Sequence, residues 1–251
     1  CVEVPAHVPD FQPDIDALAA AIGPKTSAVI INTPNNPVGA VYSRASLEAL
    51  ADLLSTKEAE LGRELYLISD EPYREIVYDG IEVPYVPNVY ARTLVCYSYS
   101  KSLSLPGERI GYIYVSDRMD NAAQVVAAVA GAGRALGYIC APVLFQRVIA
   151  ACVDEPSDVA SYAANRALLT EGLAALGYEF VEPQGAFYLW VRALEDDAQA
   201  FSDRAKAHEL LLVPSDSFGV GGWVRVSYCI ARDTIERSMP AFKALMEEYR
   251  G

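Results

Sequence analysis

The sequence has little histidine, no closely paired cysteine and a shortage of positive charge, and each shortage excludes a class of function. Its two histidines, His7 and His208, lie far apart, so we assign no metal site. Its five cysteines form no Cys-X-X-Cys pair, which favours reduced thiols and a cytoplasmic location. Only 20 Lys and Arg face 33 Asp and Glu, and a net charge of -13 argues against a nucleic-acid partner.

Long apolar runs and a leader segment are also missing. The longest apolar run, 125–133, ends at Arg134 and is far shorter than the roughly 20 residues that cross a membrane. We therefore expect no membrane partner. The chain starts at Cys1 without a methionine or a signal pattern, so we expect a processed protein or a fragment.

Short apolar segments alternate with helical patterns through the first part of the chain. This order is typical of βαβ units and predicts an α/β fold with a mostly parallel sheet and flanking helices. We expect the first strand to be buried on both faces. The predicted strands are 28–32, 65–69, 93–97 and 110–115.

A boundary is predicted where Asp154-Glu155-Pro156 interrupts the helical pattern. Residues 1–153 would form the large domain. Residues 154–251 contain a long helix, short strands and a closing helix, which predict a smaller α+β C-terminal domain.

Three polar clusters follow three of the predicted strands. They are 35–37 (Asn-Asn-Pro), 70–73 (Asp-Glu-Pro-Tyr) and 98–101 (Ser-Tyr-Ser-Lys). Ligands of parallel sheets bind at the carboxyl ends of the strands, so the three clusters together indicate one shared site. Each cluster alone would be read as a turn, a helix cap or a solvated loop.

Lys101 is the most reactive candidate in these clusters. Burial at a strand end disfavours a lysine ammonium and favours the nucleophilic amine. Hydroxyl groups flank Lys101, and Arg109 follows eight residues later. Together these residues suggest an aldehyde cofactor that carries a phosphate.

The order and spacing of six motifs resemble those of the pyridoxal-phosphate-dependent aminotransferases of class I/II, the fold type I enzymes of the aspartate aminotransferase superfamily. The resemblance covers essentially the whole chain and implies an N-terminally truncated large domain. The matching motifs are Asn35-Asn36-Pro37-Val38-Gly39, Ser69-Asp70-Glu71-Pro72-Tyr73, Ser98-Tyr99-Ser100-Lys101, Leu105-Pro106-Gly107-Glu108-Arg109-Ile110-Gly111, Pro183-Gln184-Gly185-Ala186-Phe187-Tyr188 and Val224-Arg225-Val226-Ser227.

The resemblance assigns catalytic roles to three residues. Lys101 is similar to the lysine that forms the Schiff base with pyridoxal 5′-phosphate and then shuttles a proton. Asp70 is similar to the acid that keeps the pyridine nitrogen protonated. Tyr73 and Asn36 resemble the pair that hydrogen-bonds the 3-oxygen of the ring.

The remaining implied contacts hold the phosphate and the substrate. Ser98 and Arg109 resemble phosphate ligands. Arg225 resembles the arginine that clamps the substrate carboxylate, and Asn36 is implied beside the substrate. Many relatives have a cis bond at the position of Asn36–Pro37, so we expect one here.

The implied function is amino transfer from an amino acid to a 2-oxo acid, carried out by a homodimer. A C–S lyase or related lyase on the same scaffold is the alternative, although Arg74-Glu75 after Tyr73 looks more like the transaminases. A further alternative is a non-enzymatic effector domain of a transcriptional regulator. The N-terminal third of such enzymes, which holds part of the phosphate cup, is missing, so we expect this chain alone to bind the cofactor weakly or not at all and to be inactive.

Overall fold

The computed structural model describes all residues, Cys1–Gly251, and its chain forms two four-stranded sheets. In the first sheet the order is β1-β2-β3-β4, with β1, β2 and β3 parallel and β4 antiparallel to β3. The mostly parallel α/β arrangement predicted from the sequence is therefore confirmed. The strands are β1 (Ala28–Asn32), β2 (Tyr66–Asp70), β3 (Thr93–Ser98) and β4 (Gly111–Val115).

Six helices accompany this sheet, and polar side chains cap two of them. Asp14 accepts a hydrogen bond from the Ala17 amide before the first helix, and Ser43 accepts one from the Ser46 amide before the second. Gly62 then ends the second helix in the left-handed conformation. The helices are α1 (Ile15–Ala21), α2 (Arg44–Leu61), α3 (Val86–Val89), α4 (Tyr99–Ser102), α5 (Ala122–Ala135) and α6 (Val143–Cys152). None of the chain's helices is both long and apolar enough to cross a bilayer.

Helix α2 covers one face of the first sheet. Leu47, Leu50 and Leu54 are fully buried and pack with Leu65 and Leu67 in one apolar core. The other face is more open, and the Ile30 side chain is 64% exposed. The prediction that the first strand is buried on both faces is therefore wrong. The reason is that only one face is covered: Val29 and Ile31 pack in the core under α2, whereas Ile30 on the opposite face belongs to no apolar core.

The second sheet is antiparallel, with the order β5-β6-β8-β7. It forms the larger core together with the helices that follow residue 154. Its strands are β5 (Phe180–Val181), β6 (Tyr188–Arg192), β7 (Val213–Pro214) and β8 (Trp223–Ser227), and the helices are α7 (Val159–Leu176), α8 (Ala198–Ala207) and α9 (Arg232–Arg250).

The segment after β2 connects the two sheets. Tyr73, Ile76 and Tyr78 are buried in the core of the second sheet, although they precede the predicted boundary. A Cβ atom on Gly185 would lie 2.8 Å from the Pro34 side chain and 2.9 Å from a backbone oxygen, so only glycine permits this close approach. The division at 153/154 stays a prediction.

Candidate active site

The parallel register brings the predicted polar clusters to one edge of the first sheet. Asn32 at the end of β1 lies opposite Asp70 at the end of β2, and Asp70 lies opposite Cys96 in β3. The segments that follow these strands carry Asn36, Tyr73 and Lys101. The three clusters therefore share one edge, as the sequence predicts.

Asn32 connects two of these clusters by hydrogen bonds, although no role for it is predicted from the sequence. Its side-chain amide donates to the Asp70 backbone oxygen at 2.9 Å and to Asp70 Oδ2 at 3.2 Å. Its Oδ1 accepts a hydrogen bond of 2.7 Å from the Asn36 amide. Its place as the last residue of a strand, just before the Asn-Pro turn, is the signal that could have identified it. The peptide bond between Asn36 and Pro37 is cis, as predicted.

The adjacent carboxylates Asp70 and Glu71 have different surroundings. Glu71 is fully buried and accepts hydrogen bonds from Ser69 Oγ at 2.7 Å and from Arg74 Nε at 2.5 Å. Arg74 also donates to the backbone oxygens of residues 83 and 84, so it fixes a loop. Asp70 is only partly buried and has no cationic side chain as a partner. It is therefore the carboxylate available to a ligand.

Asp70 is expected to reduce stability when it ionises in the unliganded chain. Burial raises the pKa of its carboxyl above the usual value, and the Glu71 carboxylate raises it further. A pKa that is higher in the folded state means that stability is lost as pH rises from about 4 through the folded pKa. We therefore expect Asp70→Asn to unfold at a higher urea concentration than the wild type at pH 7, with the difference shrinking towards pH 4.

Urea titrations of both proteins over this pH range measure the effect, and Glu71→Gln is the matched control. It removes one partner of a buried ion pair, which costs about 3 kcal/mol or more, so its urea midpoint should fall. Equal urea midpoints of Asp70→Asn and the wild type at every pH would show that folding does not raise the pKa of Asp70.

Lys101 lies beside two aromatic rings. Its Nζ is 5.8 Å from the ring centre of Tyr73 and 5.5 Å from that of Phe187. Those rings contact each other edge to face at 5.4 Å. Burial raises the pKa of the Tyr73 phenol far above its usual value, and its hydrogen bond with Tyr188 adds to the shift. Tyr73 is therefore a neutral hydroxyl that can donate a hydrogen bond.

Arg225 reaches this edge from the second sheet. Its Nη1 donates to Asn36 Oδ1 at 2.9 Å, and its guanidinium carbon lies 4.5 Å from the ring centre of Tyr188 and 5.3 Å from that of Phe218. Its Nε is buried and has no hydrogen-bond partner. A buried, unpaired N–H on a guanidinium fits a carboxylate ligand, which accepts two parallel bonds from such a fork.

The two predicted phosphate ligands make no hydrogen bond to each other, and each side chain bonds within its own turn. The Ser98 hydroxyl bonds the Ser100 hydroxyl at 2.5 Å and accepts from the Ser100 amide at 3.1 Å. Arg109 is exposed, has a positive φ of 53° and donates to the Pro106 backbone oxygen at 2.9 Å. Their role toward a phosphate stays a prediction.

Comparison with protein families matches nearly the whole chain. The family model described as "Aminotransferase class I and II" matches residues 1–242. An aromatic-amino-acid aminotransferase 2 of Thermococcus litoralis is 30% identical over 98% of this chain and 64% of its own length. An aspartate aminotransferase of Thermotoga maritima is 30% identical over 92% of this chain and 59% of its own length.

Solved structures give the same result. An amino transferase from Eubacterium rectale has 55% identity and a TM-score of 0.96, and the match covers 100% of this chain and 63% of that one. The aspartate aminotransferase of Thermotoga maritima has 31% identity and a TM-score of 0.84, with 99% and 63% covered. The chain thus spans less than two thirds of the length of these relatives.

Proposed function

This chain belongs to the class I and II aminotransferases, and from that premise we propose that the whole protein moves an amino group from an amino acid to a 2-oxo acid. Members of this family use pyridoxal 5′-phosphate. One observation carries the proposal. The amine of Lys101, the carboxylate of Asp70 and the guanidinium of Arg225 lie at the same sheet edge, in the order of the family's motifs.

The residues at this edge fit the ring of the cofactor. Asp70 would pair with the pyridine nitrogen, since its carboxylate has no other cation. Arg225 can only donate, so Asn36 must turn its oxygen toward it, which leaves the Asn36 NH₂ group free to donate to the 3-oxygen. Tyr73 would supply the second donor. Ser98 and Arg109 would hold the phosphate.

The side chains divide the work of the reaction. When bound, pyridoxal 5′-phosphate supplies an electron sink for charge that develops on the substrate Cα. Lys101 would take the proton from the substrate Cα as a general base and, as a general acid, would deliver it to the C4′ carbon of the cofactor. Arg225 would orient the substrate by two hydrogen bonds to its carboxylate, which places the Cα–H bond toward the lysine amine.

Substrate class and assembly are part of the proposal. The amino acid and the 2-oxo acid share the carboxylate that Arg225 would bind, whereas no second arginine is assigned to a side-chain carboxylate. The relatives are named for aspartate and for aromatic amino acids.

We propose a homodimer in the cytoplasm. The dimer is proposed because large apolar side chains around helices α5 and α6 are exposed and need a cover. They include Leu136, Tyr138, Ile139 and Leu144.

Product analysis tests the function. The full-length protein with the cofactor, an amino acid and a 2-oxo acid should form a new amino acid. Pyruvate and ammonia from a cysteine conjugate, without any new amino acid, would instead identify the lyase alternative. The 251-residue chain measured in parallel should show weak cofactor binding and no turnover, since it lacks part of the proposed phosphate cup.

A further inference from the structure

Tyr188 contacts two of the candidate site residues with two different parts of its side chain. Its Oη lies 3.1 Å from Oη of Tyr73. Its ring lies below the guanidinium of Arg225, 4.5 Å from the guanidinium carbon to the ring centre. The residue is 7% exposed, and its hydroxyl has no other hydrogen-bond partner. A single side chain thus connects the residue proposed to bind the cofactor ring with the residue proposed to bind the substrate.

We propose that Tyr188 is a positioning residue, whose hydroxyl supports the phenol of Tyr73 and whose ring holds the plane of Arg225. The inference rests on the proposed function, because both supported residues have their roles there. It adds a residue that contacts neither the cofactor nor the substrate in the proposed arrangement and acts through its two neighbours.

The hydroxyl argument follows from the burial of Tyr73. Tyr73 is 4% exposed, and its phenol oxygen has one hydrogen-bond partner, the hydroxyl of Tyr188. Each hydroxyl can donate one proton and also accept. When the Tyr73 hydroxyl donates a hydrogen bond to a ligand oxygen, the Tyr188 hydroxyl can donate a hydrogen bond to the Tyr73 oxygen in turn. Such a chain of hydrogen bonds polarises each member and strengthens the bond to the ligand.

The ring argument follows from the shape of a guanidinium. The guanidinium of Arg225 is flat. Its central carbon lies 4.5 Å from the ring centre of Tyr188 and 5.3 Å from that of Phe218. Its Nη1 is fixed by Asn36, whereas its buried Nε is unpaired. Contacts between a guanidinium and aromatic faces are favourable. The ring therefore fixes the orientation in which the N–H groups of Arg225 meet a carboxylate.

The position of Tyr188 explains why it reaches both neighbours. It is the first residue of β6 and pairs with Ser227 of β8, while Arg225 lies two residues earlier on β8. Diagonal neighbours on paired strands are within reach of aromatic side chains. Tyr73 lies on the segment that crosses from the first sheet. Its ring contacts the Tyr188 ring edge to face, with 5.8 Å between the ring centres.

Two substitutions in the full-length protein separate the two contacts. Tyr188→Phe keeps the ring and removes the hydroxyl. A weaker bond from Tyr73 stabilises the ionised 3-oxygen less, so the pH midpoint of the visible absorption of the bound cofactor should rise by about 0.5. The KM for the amino acid should stay within about twofold of the wild type. Tyr188→Leu also removes the ring and should raise KM by about tenfold, which is the scale of a lost desolvated cation–π contact.

Tyr178→Phe is the matched control. Tyr178 is as buried as Tyr73, and its hydroxyl donates to the Phe242 backbone oxygen at 2.9 Å, away from the site residues. Its substitution removes one buried hydrogen bond and should lower the denaturation midpoint without moving the absorption midpoint or KM. If the absorption midpoint shifts equally in Tyr178→Phe and in Tyr188→Phe, the shift follows from the loss of any buried tyrosine hydroxyl. That result would overturn the proposal.

The outcomes also separate this inference from the proposed function. If the absorption of the bound cofactor has the same pH midpoint in Tyr188→Phe as in the wild type, the proposed role of the hydroxyl is overturned, and the proposed function is not. Equal KM values in Tyr188→Leu and Tyr188→Phe overturn the proposed role of the ring. If Tyr188→Leu does not fold, the absorption midpoint of Tyr188→Phe decides the inference. The absence of any band in the wild-type protein overturns the proposed function and this inference together.

Discussion

Lys101→Ala should abolish amino transfer and remove the visible absorption of the bound cofactor in the full-length protein. The side chain provides the amine that we expect to bond the cofactor aldehyde and to move the Cα proton. Loss of proton transfer alone lowers kcat by about 10²–10⁴-fold, and loss of the covalent bond adds to this. Absorption spectroscopy and steady-state turnover measure the two effects.

Lys243→Ala is the control for Lys101→Ala. Lys243 lies on helix α9 with a 63% exposed side chain and a 3.8 Å ion pair to Glu247. Such an exposed pair contributes about 0–1 kcal/mol, so both absorption and turnover should match the wild type. Persistence of both signals in Lys101→Ala would show that another residue carries the chemistry.

Arg225→Ala should lower kcat/KM by about 10²–10³-fold, mainly through KM. Loss of one member of a buried, hydrogen-bonded charge pair costs about 2–5 kcal/mol, and each 1.4 kcal/mol is a factor of ten. Arg225→Lys keeps the charge and loses the planar fork, so it should recover only part of the activity. Binding of a simple carboxylate inhibitor should weaken in parallel, which a spectroscopic titration can follow.

Arg192→Ala is the matched control for Arg225→Ala. Arg192 lies on the neighbouring strand β6, and its guanidinium carbon is 5.5 Å from the Trp223 ring, so it also packs on an aromatic ring, although a different one. It is exposed and makes no side-chain hydrogen bond. Its loss should leave KM unchanged. An equal rise of KM in both variants would mean that the loss of an arginine that packs on an aromatic ring of this sheet weakens substrate binding, whether or not its guanidinium reaches the site.

The sequence predicts the elements well where hydrophobic pattern and capping agree. β1 has the predicted bounds, Ala28–Asn32, and helix α2 begins directly after Ser43, a residue type that is favoured at N-caps. In contrast, β7 is a two-residue strand, Val213–Pro214, which is too short to show any periodicity. The exposure of Ile30 also escaped prediction, because a run of apolar residues does not reveal which face of a strand lacks a cover.

The candidate site is predictable for residues that carry chemistry themselves, and less so for those that support them. Lys101 and Asp70 stand out by type and position. Asn32 and Tyr188 act on partners 38 and 115 residues away, so their contacts depend on strand register and on packing between the two sheets. Arg109 shows the opposite case, because its motif predicts a ligand while its side chain bonds Pro106.

Reduction by borohydride followed by peptide mapping tests the central claim most directly. The full-length protein is incubated with pyridoxal 5′-phosphate and reduced, which makes a lysine–cofactor bond permanent, and the labelled peptide is then sequenced by mass spectrometry. We expect one phosphopyridoxyl group per chain, on Lys101, and none after substitution of that lysine by alanine. Label on a different lysine, or no label at all, would contradict the assignment of this site.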